Sequence, residues 1–301
     1  MSWFKNPWES ANPWAEGKPE FKKAIGTVVD DVNTSDDNLT GGSSSLGYKA
    51  TLTILDAKNK KLSMKIENSA SYKVIWYSSK TSQNMFTSSL SDIQHALDST
   101  FGFSGSLTYN MPFNPVTGKQ YPEGKLVEWT IEYNFASTYS IDLAYSTDQI
   151  NDSKLIVLVV DKIGKRHIKE VGFEGTIEIG GCFGTGQRIM TLKENSYADR
   201  NNMKHLVCHE EGHRLGLGHV HAASNLMSYK TYTSLTLNVN QQSEIVKYFL
   251  ATALHKLGHK EGTVSNSPSF GKAIDDIDAH IVKLEDENEG IQYTRPKIKS
   301  K

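Results

Sequence analysis

Residues 208–219 read Cys-His-Glu-Glu-Gly-His-Arg-Leu-Gly-Leu-Gly-His, and few local conformations make sense of that run. His209 and His213 are four residues apart, which stacks both imidazoles on one face of an α-helix, one turn apart. Two imidazoles so placed grip a single ion. Glu210 adjoins the first of them, so its carboxylate reaches a water on that ion without ligating the ion itself. Gly216 admits a backbone conformation other residues resist, and the chain leaves the helix there. The turn swings His219 round as a third nitrogen ligand. Three neutral imidazoles leave the fourth position of a zinc ion open, the mark of a reactive site and not of a structural one. Five specified residues in one register arise by accident in a chain this long on the order of once in a hundred thousand sequences. A chance run of histidines is therefore set aside.

The rest of the chain supplies a frame for this helix. Residues 1–47 read as a disordered leader. They repeat Asn-Pro-Trp at 6–8 and 12–14, pass through an acidic patch and end in Gly41-Gly42-Ser43-Ser44-Ser45. The leader is expected to be protease-sensitive and dispensable for folding, or alternatively to dock a partner through Trp3, Trp8 and Trp14. Residues 48–88 form a β-rich segment, either its own subdomain or the start of the next. Leu52 and Ile54, then Leu62, Met64 and Ile66, mark two strands with a turn over 57–61, and 72–77 marks a third.

Residues 89–258 make the main domain. A short helix is expected over 89–100, with Ser91 as N-cap and Ile93, Ala96 and Leu97 on its inner face. Residues 110–124 are loop by their Pro, Gly and Asn content. Leu126–Phe135 is a strand, and Leu155–Val160 is a strand buried on both faces. Beyond a glycine-rich stretch, Arg188–Leu192 is another. Helices follow over 202–215 and 241–257. Residues 259–301 are a polar tail in which 275–289 forms a solvated helix. Strands and helices in this mixed order imply an α/β (α+β) fold.

Composition narrows the function classes. Of 301 residues 38% are apolar, with 23 glycines besides, enough for a sizeable core. The net charge of -1 gives no basic field for nucleic acid or an anionic membrane. No stretch is long and apolar enough to span a bilayer. The first residues lack the apolar core of a secretory signal, so the expectation is a cytoplasmic protein or one exported by a specialised route. The two cysteines, Cys182 and Cys208, cannot frame a disulfide scaffold. They either pair or stay separate buried thiols.

The run Asn225-Leu226-Met227-Ser228-Tyr229, whose methionine lies eight residues after His219, adds a second element. Together, H-E-x-x-H-x-x-G-x-x-H over 209–219 and the methionine after it resemble the metzincin clan of zinc metallopeptidases. The resemblance implies a catalytic domain with a twisted mixed sheet, an active-site helix and a C-terminal helix. It implies zinc on His209, His213 and His219, Glu210 as general base, and Met227 in a turn beneath the metal. The short link between His219 and Met227 resembles the matrixins. A tyrosine two places after the methionine resembles astacins and serralysins, where it touches zinc or stabilises an oxyanion; Tyr229 either does so or simply packs. Val220, following the third histidine, departs from the residues of the best-known subfamilies. No matrixin-type cysteine switch and no calcium loop is present. His221 reads as a surface residue.

The clan's substrates lie extended along an edge strand, and Gln187, Arg188, Ile189, Met190, Thr191 and Leu192 are the expected edge here. The expected activity is endopeptidase cleavage of protein or peptide substrates. Two other readings stay open: a cargo or structural component of a phage-tail-like or secretion assembly, and a zinc hydrolase of non-protein amides. Casein cleavage and co-sedimentation with large particles separate the first of these from the peptidase.

Overall fold

The computed structural model describes residues 32–33, 47–76, 83–144, 149, 155–160, 165–170, 173–178, 181–182, 188–193, 200–220, 224–228 and 234–267. Its centre is one long strand. Lys61–Trp76 (β3) alternates Leu62, Met64, Ile66, Ala70, Tyr72 and Val74 on a buried face with polar residues opposite. That period of two lets a single strand build one face of a core. Gly47–Asp56 (β2) folds back on its first half as an antiparallel hairpin. The turn is closed by Asp56, whose Oδ1 accepts the Asn59 amide at 3.0 Å, and Lys60 turns with a φ of 55°.

Val127–Leu143 (β7) runs parallel to β3 over its other edge, from Lys61↔Thr130 to Val74↔Leu143. Phe103–Met111 (β4) pairs antiparallel with β7. Leu155–Val160 (β8) continues where β2 stops, pairing parallel with Tyr72–Trp76. Ile189–Lys193 (β12) lies parallel to β8, and Gly181–Cys182 (β11) antiparallel outside β12. At the other end Gly262–Asn266 (β14) pairs with β2. The result is an eight-stranded mixed sheet in an α/β fold. Three α-helices of the described residues accompany it: Gln83–Thr100 (α1), Arg200–Arg214 (α2) and Val239–Lys256 (α3). α1 packs on β7 and α2, while α3 packs on β2, β4 and β14. No helix among the described residues is long and apolar enough to cross a membrane.

Several expectations change. Of the two readings of the β-rich segment 48–88, the sheet fits the second, since β2 and β3 share it with β7 and β8. The run expected as a third strand over 72–77 is the far half of β3. Helix α1 starts eight residues before Ser91, which lies inside it. Serine and threonine favour caps locally, and a buried stripe of Ser89, Ile93, Ala96 and Leu97 overrides that preference. The loop over 110–124 holds a two-residue ladder, Phe113–Asn114 (β5) with Lys119–Gln120 (β6). The strand expected over 126–135 runs on to Leu143. The polar tail starts later than residue 259, since β14 completes the sheet. Residues 275–289 and the leader tryptophans lie outside the described residues. So do the remaining links around Lys165–Glu170 (β9) and Phe173–Glu178 (β10), which pair with each other as a separate antiparallel ribbon.

One piece of the leader is described: Val32–Asn33 (β1) pairs with His219–Val220 (β13). Two residues of ladder contribute little beside the fourteen paired positions of β3 and β7. Removing residues 1–46 should therefore move the melting temperature by no more than a few degrees. A larger loss in a thermal melt would put the leader in the folded body.

Candidate metal centre

The helix α2 is one side of the centre. Just beyond its end stands Gly216, whose φ is 93°. Leu217 N donates to Gly212 O at 2.9 Å and Gly216 N to His213 O at 3.0 Å, the paired closing bonds of a Schellman cap. The chain that emerges forms β13 and delivers His219 back over the helix. The second side is the turn over 224–228. Val220 N donates to Met227 O at 2.9 Å, which ties the residue after the third histidine to the methionine turn.

The three imidazoles meet. His219 Nε2 lies 3.1 Å from His209 Nε2 and 3.0 Å from His213 Nε2, and all three ligand atoms fall within 4.8 Å of one another. The opposite nitrogens fix the tautomers. His209 Nδ1 is 2.8 Å from Leu226 O, and His213 Nδ1 is 2.8 Å from Leu217 O. A carbonyl only accepts, so each ring in its neutral form carries its proton on Nδ1 and turns the Nε2 lone pair toward the shared point. A proton on His219 Nε2 could bridge to only one of the two facing lone pairs. A cation satisfies all three, and a set of three imidazoles suits zinc. His209 and His219 are each 8% exposed, so the point where they meet is shielded from bulk water but reachable.

Glu210 is 3% exposed on the same helix, next to the first ligand. Met227 is fully buried against the helix at Gly212. Its contact explains Gly212: a Cβ there would lie 2.5 Å from Met227 Sδ and 3.2 Å from its Cε. Gly212→Ala should therefore destabilise by about 1–3 kcal/mol through overpacking. A thermal melt of Gly212→Ala and of Gly212→Ala/Met227→Ala checks the cause. Clearing the sulfur should make the added methyl cheaper, and strictly additive losses would point elsewhere.

Sequence reasoning missed the groups that hold the turn. Asn225 and Gln241 exchange amide bonds, Asn225 Nδ2 to Gln241 Oε1 at 2.7 Å and Gln241 Nε2 to Asn225 Oδ1 at 3.0 Å. Asn225 Oδ1 also accepts the Met227 amide at 2.8 Å. Gln241 is at the same time the third residue of the capping box that starts α3 from Asn238. Asn238-x-x-Gln241 was a readable capping signal; its link to residue 225 was not.

The cluster that Glu211 forms with Arg214 was missed as well. Both are fully buried on the side of α2 away from the imidazoles. Arg214 Nε donates to Glu211 Oε2 at 2.6 Å and Nη2 to Oε1 at 2.5 Å, while Tyr72 and Tyr139 donate to Oε2 and Oε1 at 2.5 and 2.6 Å. Burial, with the nearby Glu211 charge, keeps both tyrosine hydroxyls protonated far above their ordinary range, although Arg214 pulls the other way. Burial alone would loosen the proton on Arg214; the Glu211 carboxylate reverses this and holds it more tightly than usual. The sequence signal was a stripe at Met203 and Val207 that continues as opposite charges at positions i and i+3.

Other expected residues fare differently. Cys208 is a free buried thiol, its pKa pushed up by burial, so it does not pair with Cys182. Tyr229, His221 and Gln187 lie outside the described residues. Arg188 precedes β12, and Ile189, Met190, Thr191 and Leu192 lie within it, all buried. The expected edge needs correcting: β11 pairs outside β12 at Leu192 and Thr191, so β12 stands one strand in from the sheet's end there. His205, one turn before His209, does not join the metal cluster; its Nδ1 is 2.7 Å from Ser234 O and burial lowers its pKa.

No family model matches the chain, and no curated protein matches it. Among solved structures it is similar to archaemetzincin from Methanopyrus kandleri, with 11% identity over 60% of this chain and 96% of that one, at a TM-score of 0.35. The chemistry of the site stands on its own residues.

Proposed function

We propose that this chain is a zinc-dependent endopeptidase of metzincin type. The observation that carries the reading is the convergence of three imidazole Nε2 atoms, two with their Nδ1 protons committed to backbone carbonyls, beside the buried Glu210. His209, His213 and His219 would hold the ion. Zinc there would supply Lewis acidity, polarising a scissile carbonyl and making water more acidic. The chain's own residues do the rest. Glu210 takes the proton of the attacking water and passes it to the leaving amine. The Leu226 and Leu217 carbonyls keep the imidazoles oriented through the cycle. Tyr229, on the chain just beyond Ser228, is assigned as donor to the developing oxyanion. The extended peptide is assigned to the sheet end formed by β11 and β12, where backbone pairing supplies affinity and side-chain pockets selectivity.

Incubation of a protein mixture with the chain, followed by sequencing of new N-termini, tests this reading and reports the cleavage preference together. Wild type should generate termini that Glu210→Ala does not. Identical terminus profiles from the two would remove the peptidase assignment.

A further inference from the structure

The face of α2 turned away from the imidazoles carries a directional set of contacts. Each Glu211 oxygen accepts one tyrosine hydroxyl and one guanidinium nitrogen: Oε2 from Tyr72 and Arg214 Nε, Oε1 from Tyr139 and Arg214 Nη2. Glu211 and Arg214 sit three residues apart on the same helix, so their ion pair does not by itself tie the helix to anything. The tyrosines do. Tyr72 stands on β3 and Tyr139 on β7, neighbouring parallel strands in the register Ala70↔Tyr139 and Tyr72↔Ile141. The helix is thus bound to two neighbouring strands of the sheet at one carboxylate.

Apolar packing does not set a helix's rotation sharply, because burial energy depends on area and not on direction. Met203, Leu206 and Val207 supply such packing on α2. A carboxylate fixed by a bidentate guanidinium and two hydroxyls is different, because each bond has a preferred line of approach. Glu211 is two residues from His209 and two from His213, hence about 160° round the helix from each. Turning α2 by only about 10° would move side-chain atoms some 6 Å from its axis by roughly 1 Å. A metal site tolerates deviations of only about 0.2 Å in its bond lengths. A buried ion pair is also a poor way to gain stability alone, since well-packed apolar residues do as well or better.

We infer that Glu211, oriented by Arg214 and anchored by Tyr72 and Tyr139, is a positioning residue that sets the rotation of the active-site helix and so the convergence of the metal-binding imidazoles. The inference rests on reading those imidazoles as a metal site, and it does not require that the site cleave peptides.

The test uses Tyr72→Phe/Tyr139→Phe in the full chain, which removes both anchors, keeps the rings and leaves the Glu211–Arg214 pair intact. Zinc affinity is measured by competition with a chromophoric chelator, and site geometry by the visible absorption of the cobalt-substituted protein. The expected result is a loss of zinc affinity of at least about tenfold, with a shifted cobalt spectrum. Each single Phe variant should show a smaller change of the same kind, and these decide the matter if the double variant does not fold. Wild-type zinc affinity and an unshifted cobalt spectrum in the folded variants, whatever their melting temperatures, would overturn the inference and leave the cluster a purely stabilising one. Zinc tightly held by a wild type that cleaves nothing would instead remove the proposed activity and leave the positioning role standing.

Discussion

Glu210→Gln should bind zinc at the wild-type stoichiometry and melt close to wild type, yet hydrolyse peptide roughly 10²–10⁴-fold more slowly, the usual contribution of a general base. Glutamine keeps the size and shape of the side chain but has no lone pair basic enough to take a proton from water. Its neighbour provides the contrast. Successive helix residues are rotated by about 100°, so Glu211 points away from the imidazoles, and it is indeed found in the buried cluster with Tyr72, Tyr139 and Arg214. From the sequence alone, Glu211→Gln is expected to change activity little. The cluster alters that expectation, because the substitution strands the fully buried Arg214 charge, at a cost of about 3–5 kcal/mol. The two glutamines should thus separate cleanly: Glu210→Gln is stable and inactive, and Glu211→Gln is chiefly unstable. Peptide hydrolysis at matched zinc occupancy, with a thermal melt of each, checks both. An active Glu210→Gln would end the assignment of the base.

Removing the metal should lower the melting temperature by a wide margin. An ion that binds only the folded chain stabilises it by about 4 kcal/mol when present at 1,000 times its dissociation constant. For a domain of 150–250 residues each kcal/mol is worth roughly 2–4 °C, so chelation should lower the melt by roughly 8–16 °C. The loss should be reversed by zinc. His209→Ala/His213→Ala should melt near the chelated wild type and show no response to chelator, because the two lone pairs aimed at His219 are gone. Full zinc retention in that double variant would exclude the three-histidine centre.

The sequence alone placed the three imidazoles and the neighbouring Glu210 of the candidate centre, since every relation among them is local. The histidine spacing, the glutamate beside the first histidine, the glycine exit and the methionine after the third histidine all lie within 209–227, where helix pitch and turn geometry fix who faces whom. It likewise determined the strand patterns of β2, β8 and the two halves of β3, because alternation or a continuous apolar run is a property of adjacent residues. Tertiary structure alone decided what lies between distant segments. That β3 takes β7 along one edge, and β8 on the other edge beyond the β2 hairpin, is a matter of pairing between segments far apart in sequence. So is β11 closing over β12 at the end expected to be open. The Glu211 cluster joins residues 139 and 72 positions apart, and the Asn225–Gln241 clasp joins a turn to the cap of another helix. A polar residue carries no local mark of whether water or a buried partner will satisfy it. Only the packing of α2 on the sheet made Glu211 and Arg214 interior groups, where low polarity obliges each to find the other.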